Sequence, residues 1–551
     1  MKILSFLPAA VLLATSLLLP AQQQQQMDQQ VKSGPAPEAK TAPKIAKEDR
    51  LLAMQTLEIA ESTSRGFEPP MRTWGLLQLG QTFSADKPAK AIELLKDAFT
   101  ASLSVADDPE TKESLQDEIF RALLPLSQAD VEERLAQAEP KVRKRASETI
   151  VRRYVEKKQF GPAMDLVTQV AGWDEFPYGA GTALLLVMPA EMQAEKMSIL
   201  TQAVGSYKAH EHTEPPMGDN FTQMIVRFGP HMPSKVALEA IDELLSQAKK
   251  SDQKANGVLS SAAGTFSFNS VYEYQLFAVM PLLRVLDEGR AEALLKENQT
   301  IKASLDKFPA GLQSLDPTMT DAPPKEGERG GIMQTWGMGD GPSGDNGMYQ
   351  MHEMQRKADE IINDSHKNPV QAIAGAQALP VKMGRMFPPR AHALEGIARE
   401  NFKDNPGPAK QAIDEMRKAI ADLDLSQQAR FLSIAADLYF KMGDKESAGK
   451  VIGEGFKVAD KILDKDMNPD DPNKALKAYW PSADAYRRFI DVQAKLSHRG
   501  AADILKEIKD PEVRTVESIM LSRALLGLAM KRVRVEQKTK NDNMIMMMSA
   551  E

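Results

Sequence analysis

The sequence predicts an all-α fold of helical-hairpin repeats, an α-solenoid in two lobes, and three observations carry that prediction. Helix-length segments with apolar residues at helical spacing follow one another from Glu48 to about Gln313, and again from Met348 to about Val535. Two of these segments, more than 300 residues apart, share a proline-marked pattern. Runs rich in Val, Ile and Thr with strict alternation are scarce, and aromatic residues are 6% of the chain, which argues against a β-rich fold.

Taken in order, residues 1–21 read as a signal peptide. Lys2 precedes an apolar run from Ile3 to Leu19, and Pro20-Ala21 offers a small residue at a cleavage point, although Leu19 fits the small-x-small rule less well. An uncleaved signal anchor is the alternative reading. Residues 22–46, rich in Gln, Pro and Ala, have almost nothing to bury and are expected to be a disordered tether. The N-terminal helical lobe is expected over 47–313, with amphipathic segments such as Leu51–Ser62, Lys90–Ser102, Thr111–Leu126 and Ala146–Lys158. Periodicity is then lost through "DPTMTDAPPKEGERGG" and "GDGPSGDNG", so 314–347 reads as a flexible Gly/Pro-rich linker. The C-terminal lobe follows over 348–535, and 536–551 is a polar, then Met-rich, tail. Cleavage in the linker is expected to release two folded halves.

The shared pattern begins at Phe67-Glu-Pro-Pro, runs a helix length to Phe83 and restarts at Asp86-Lys-Pro88. Its counterpart begins at Phe387-Pro-Pro389, runs to Phe402 and restarts at Asn405-Pro-Gly-Pro408. Proline has the fixed φ suited to a helix's first turn, so each copy reads as two consecutive helices. Within the second half, Phe402, Gly407 and Ala412 recur 36 residues later as Leu438, Gly443 and Ala448, one helical hairpin per repeat. The junction at 435–462, with Leu438-Tyr439, Gly443-Asp444 and Ala448, resembles the tetratricopeptide unit, and 154–167 resembles the same junction. By contrast, "IKDPEVRTVESIMLSRALLG" (508–527) and "AEPKVRKRASETIVRR" (138–153) resemble the Asp-Pro-x-Val-Arg helix start of HEAT-type repeats. The whole is similar to secreted bacterial helical-repeat proteins. These resemblances imply stacked hairpins with an extended surface for protein segments.

Composition removes several function classes. Net charge is −7 at pH 7, so nucleic acid is not an expected partner. After the signal, no segment has the ~18 apolar residues a membrane span needs. With no cysteine, an exported destination comes without disulfides or a lipid-modified cysteine, and there is no thiol nucleophile. G-x-S-x-G and H-E-x-x-H are absent as well.

Three clusters merit a chemical reading. Gly339, Gly341 and Gly344 form a G-x-G-x-x-G with Asp364 twenty residues on, but no apolar strand precedes them and Pro342 lacks an amide hydrogen, so a dinucleotide loop is not expected. Asp340, Asp345 and Asn346 fall short of a calcium loop. Met348, Met351, His352 and Met354 follow, thioethers plus an imidazole that would suit Cu(I), against the plainer reading of packing methionines in a chain with 29 of them. His210 and His212, with His231 further on, could hold zinc if a loop made them converge. Trp74 and Trp480 read as packing residues beside proline-marked starts, Trp336 as a linker docking residue, and Trp173 lies at a candidate repeat junction. No catalytic, cofactor-binding or metal residue is assigned, and no cofactor is expected. The expected function is an exported scaffold or binding protein, periplasmic or extracellular, for protein or peptide partners. The alternatives are an α/α-type hydrolase with a carboxylate pair acting on cell-wall or polysaccharide material, and a periplasmic copper- or zinc-handling protein.

Overall fold

The computed structural model describes residues 45–106, 108–212, 220–250, 256–321, 333–337, 345–383, 387–462, 474–528 and 544–546. The first half runs α1 (Lys47–Ser64), α2 (Pro69–Phe83), α3 (Pro88–Ser102), α4 (Pro109–Leu123), α5 (Gln128–Arg134), α6 (Pro140–Glu156), α7 (Phe160–Trp173), α8 (Tyr178–Val187), α9 (Gln193–Ala209), α10 (Phe221–Phe228) and α11 (Ser234–Lys250). After a hairpin of β1 (Asn256–Ser261) and β2 (Gly264–Phe268) come α12 (Val271–Leu286), α13 (Glu288–Glu297), α14 (Gln299–Lys307) and α15 (Leu312–Leu315). Then follow β3 (Met333–Gly337) and the second half: α16 (Asp345–Asp364), α17 (Pro369–Gln377), α18 (Pro389–Asn401), α19 (Pro406–Ala419), α20 (Leu425–Lys441), α21 (Lys445–Ala459), α22 (Pro481–Leu496), α23 (His498–Ile504) and α24 (Pro511–Leu525), with β4 (Met544–Met546) last. Nine of the described helices begin on proline, where the missing amide hydrogen costs nothing. Others start on a side-chain cap, as at Ser127, Asn220, Ser270, Asp287, Asp424 and Ser497.

The helices alternate between two layers. Even-numbered helices pack side by side in the order α16, α18, α20, α22, α24, α2, α4, α6, α8, α10, α12, α14, and odd-numbered ones cover them. Even-numbered helices accordingly bury most of their surface: in α2 every residue from Thr73 to Gly80 is buried. That order is not the chain order. Helix α24, near the C-terminus, sits beside α2, near the N-terminus, and its hairpin partner is α1, the first described helix. One hairpin of the stack is therefore assembled from the two ends of the chain, and the C-terminal half is stacked onto the beginning of the N-terminal half.

The seam is built like the rest of the core. Leu476, Ala478, Val516, Ile519 and Met520 are buried within the cluster that runs through the first half, while Ala53 of α1 is buried in the cluster of the second. Polar contacts fix the register: the buried Arg523 guanidinium donates to Thr82 Oγ1 at 2.9 Å, the Lys477 amide donates to Met71 Sδ at 3.2 Å, and His498 Nδ1 lies 2.6 Å from Asp49 Oδ1. With apolar burial on both sides of the seam, breaking the linker alone is expected to leave the halves joined, where the sequence pattern by itself points to their separation.

The two proline-marked copies adopt the predicted hairpins, α2 with α3 and α18 with α19. The other internal likenesses are geometric too. At 127–143 and 497–514 a serine-capped short helix, a 3₁₀ turn and a proline-started helix follow in the same order. Val131, Leu135, Ala138 and Val142 are buried in the first copy, Ala501, Leu505, Ile508 and Val513 in the second. The arginine of each Pro-x-Val-Arg reaches back to that turn, Arg143 Nη1 donating to Ala136 O at 2.8 Å and Arg514 Nε to Ile508 O at 2.8 Å. Helices α6, α20 and α24 close with one motif. Lys158, Gly443 and Gly527 have φ of 56°, 80° and 67°, and their amides donate to Val155 O, Phe440 O and Ala524 O, while the next amides donate to Tyr154 O, Tyr439 O and Arg523 O. Glycine takes this left-handed conformation freely, whereas Lys158 adopts it against its Cβ.

Two features depart from the sequence reading. The helical series over 47–313 is interrupted by the β1–β2 hairpin, whose Leu259, Phe266 and Phe268 are buried, with Phe266 stacked on Phe277 of α12 at 3.9 Å. The alternation in Thr-Phe-Ser-Phe marks this strand, but it is too short to stand out beside longer helical patterns. The stretch 314–347 is not wholly a free linker. Asp316 is buried, its carboxylate accepting from the Thr318 amide and hydroxyl; Arg227 donates to Thr318 O and Thr320 O; β3 joins a sheet; and α16 already begins at Asp345. The sheet is antiparallel throughout, in the order β2-β1-β3-β4. Residues 1–44, read as signal and tether, lie outside the described residues.

Candidate functional site

The densest charged group away from solvent lies in the second half, on the helix that makes the seam. Glu517 of α24 is fully buried and accepts from Arg487 Nη2 of α22 at 2.9 Å; the same nitrogen donates to Ala478 O at 3.0 Å. Burial pushes the Glu517 carboxyl up to about 7, against the pull of Arg487. Burial pulls the Arg487 guanidinium down most strongly, but the charge and hydrogen bond of Glu517, joined by the charges of Asp484 and Asp491, leave it raised. Arg523, one and a half turns along α24, is lowered by desolvation. At the seam's rim Lys477 bridges Asp510 and Glu512 at 2.7 and 2.6 Å. Sequence reading passed over Glu517 and Arg523, two of the four charged residues of α24, because only the burial of the helix on most of its faces sets them apart from Glu512 and Arg514. Every polar contact here joins parts of the protein to one another. The group is a fastening between α22, α24 and α2.

The histidines are placed separately. His210 follows the end of α9 and its Nδ1 lies 2.8 Å from Ser206 O. The His212 ring stacks on Tyr207, centroids 3.8 Å apart, with Nε2 3.1 Å from Tyr207 O and Nδ1 3.4 Å from Glu175 Oε1. Gln247 of α11 closes the turn, accepting from the His212 amide and donating to Tyr207 O and His210 O. Burial lowers the His212 pKa, against the pull of Glu175, and burial raises that of Tyr207 beneath it. His231 pairs with Asp321 at 2.7 Å instead. Among the described residues no group of three or more His, Cys, Asp or Glu could hold a metal ion. The rings of His210 and His212 fasten the end of α9.

Met348, Met351 and His352 fall in α16, in a part where no side chain is described, and Met354 packs against the second core. Asp345 and Asn346 also fall in α16, and Asp364 is its last residue; Gly339, Gly341, Gly344 and Asp340 lie outside the described residues. Trp74 is buried in α2, Trp480 precedes α22 and donates from Nε1 to Lys474 O at 2.9 Å, Trp173 lies partly exposed beside Arg143, and Trp336 is paired in β3 with Gly257 and Ile545.

A shallow depression of about 590 Å³ lies on the outer face of α1, lined by Gln55, Glu58, Ile59, Ser62 and Thr63, and another of about 210 Å³ lies between α2 and α4, near Gln81 and Arg121. Neither holds two carboxylates at the separation a glycosidase uses. The first includes Ile59, 69% exposed, with Leu51 two turns before it at 60%. No described helix is long and apolar enough to cross a membrane.

No family model matches the chain, and no curated protein matches it. Among solved structures, it is similar to an engineered protein from a structural genomics consortium at 12% identity over 86% of this chain and 99% of that one, with a TM-score of 0.15. It is also similar to a circular tandem repeat protein with a novel repeat topology, at 12% identity over 87% of this chain and 97% of that one, again with a TM-score of 0.15. The fold class therefore rests on the chain's own geometry: an all-α helical-repeat protein with one small sheet.

Proposed function

We propose that this chain is an exported helical-repeat scaffold that binds protein or peptide partners, in the periplasm or outside the cell. The observation that carries the reading is the unbroken two-layer stack. Its charged and aromatic clusters are used to fasten helices together, which leaves the extended helical faces as the surface available for recognition. The tetratricopeptide-like junctions at 154–167 and 435–462 and the HEAT-like starts at 138–153 and 508–527 support the same class, since both repeat types commonly hold protein segments along a groove. The apolar run at 3–19 supports export.

The test is affinity capture from a native envelope fraction with the full chain as bait. A protein retained in stoichiometric amount, and released by competing untagged chain, is the expected result. Release of sugars or peptides from cell-wall material by the purified chain, with no protein retained, would replace the scaffold reading with the hydrolase one.

A further inference from the structure

Helix α1 is held along one flank and left open on the other. Arg50 and Arg65 pair with Asp86 and Asp97, and Glu61 with Lys90, which fixes α1 beside α3. On the opposite flank its neighbour is α23, seven residues against the eighteen of α1, which meets it near the first turn through His498 and Asp49 and is too short to run beside its second half. The depression of about 590 Å³ opens along that second half. Of the six large apolar side chains exposed among the described residues, Ile45, Leu51 and Ile59 belong to α1 and the residues leading into it. The chain contains its own comparison. α7 stands to α6 as α1 stands to α24, the outer partner of a helix begun by Pro-x-Val-Arg. Its exposed positions are taken by Gly161, Pro162, Asp165, Thr168, Gln169 and Gly172, with Trp173 at its end beside Arg143. An outer helix in this position therefore folds without exposed Leu or Ile along its length, and those of α1 are surplus to the stack.

Their spacing indicates what covers them. Leu51, Gln55 and Ile59 share one stripe of the helix, with the two apolar residues one turn to either side of Gln55. When two such helices meet antiparallel about a two-fold axis at Gln55, Leu51 of each copy faces Ile59 of the other, and the two Gln55 amides meet on the axis, each able to donate to and accept from its mate. Across the same axis Glu58 falls opposite Leu52 and Glu48 opposite Ser62, so no like charges are opposed along the stripe. A patch of this kind is self-complementary, which is what an isologous contact requires. We propose that the exposed face of α1 is the surface through which two copies of this chain associate, antiparallel about a two-fold axis at Gln55. One helix pair buries less than the roughly 800 Å² per partner of a standard interface, so the association is weak and reversible, monomeric when dilute and dimeric when concentrated. The two stacks meet through their outer layers, which leaves both inner layers clear whatever protein the stack holds.

The test is sedimentation equilibrium of the full chain over a concentration series, joined by cross-linking of single-cysteine variants. The parent should show a reversible monomer–dimer equilibrium. Ile59→Asp, at a position already exposed in the monomer, should weaken it at least about tenfold by setting a charge against Leu51 of the second copy. Gln55→Leu adds apolar area on the axis and should tighten it several-fold, a gain that a misfolded variant would not give. The chain has no cysteine, so a thiol at position 55 can pair only with that of a second copy. With dissolved oxygen as oxidant, Gln55→Cys should accumulate a covalent dimer, while Gln169→Cys on the exposed face of α7 should stay monomeric over the same time. A parent that is monomeric at every concentration, a dimer indifferent to both Ile59→Asp and Gln55→Leu, or equal cross-linking from positions 55 and 169 overturns the proposal.

Discussion

Replacing Lys158 with glycine is expected to stabilise the α6–α7 junction. Lys158 sits at φ 56°, and its amide and that of Gln159 donate to Val155 O and Tyr154 O, both at 2.8 Å. Forcing a residue with a Cβ into this region costs roughly 1–2 kcal/mol, and glycine returns roughly 0.5–1 kcal/mol of that through its greater freedom in the unfolded chain. The net gain is about 0.5–1 kcal/mol. At a tenfold change per about 1.4 kcal/mol, the protection factors of the amides at 158 and 159 should rise roughly two- to fivefold in native-state hydrogen exchange. The reciprocal Gly443→Lys, at the matching junction between α20 and α21, should lower protection at 443 and 444 by a similar factor. Unchanged or reduced protection in Lys158→Gly would refute the equivalence of the two junctions.

Other perturbations reach the seam and the caps. The Glu517 carboxyl is raised from 4.5 to about 7 in the folded protein, so between those values the folded state holds a proton the unfolded state has lost. Its stabilising contribution, about 3 kcal/mol on this shift, is fully present below pH 4.5 and lost as pH rises through about 7. Denaturant unfolding from pH 4.5 to 8 should therefore show a smaller loss of stability in Glu517→Gln than in the parent; parallel profiles would contradict the burial argument. Ser127→Ala and Ser497→Ala remove matching caps, which accept from Asp130 N at 3.3 Å and Gly500 N at 3.1 Å, and each should cost about 1 kcal/mol in the same assay. A large loss from one and none from the other would break the correspondence of those segments.

Local features of this fold are legible in the sequence because they are carried by residues close in the chain. Proline at helix starts places α2, α3, α18 and α19, and the Gly443-Asp444 turn places the α20–α21 hairpin. The same reading finds the 154–167 junction in spite of Lys158, since Tyr154 and Ala163 keep the spacing of Tyr439 and Ala448. Pairing between distant segments is not legible. Nothing near Ala53 or Ile519 indicates that α1 and α24 form one hairpin, because each reads as an ordinary amphipathic helix awaiting a sequence neighbour. β3 escapes for the same reason: Met333–Gly337 becomes a strand through its register with β1, some 75 residues earlier, against a local sequence that favours neither helix nor strand. The histidine pair is the converse case. His210-Glu-His212 looks like metal chemistry in one dimension, and the fold spends both rings on the end of a helix.

The central claim is that one stack runs through the joined ends of the chain, and cleavage of the linker tests it most directly. With a single protease site inserted between Pro324 and Gly331, complete cleavage followed by size-exclusion chromatography with light scattering should return one particle at the mass of the intact chain. Ile519→Asp, which puts a charge among the apolar residues of the seam, should let the two fragments separate. Fragments of the otherwise unaltered chain that elute independently, at about three-fifths and two-fifths of the mass, would contradict the account.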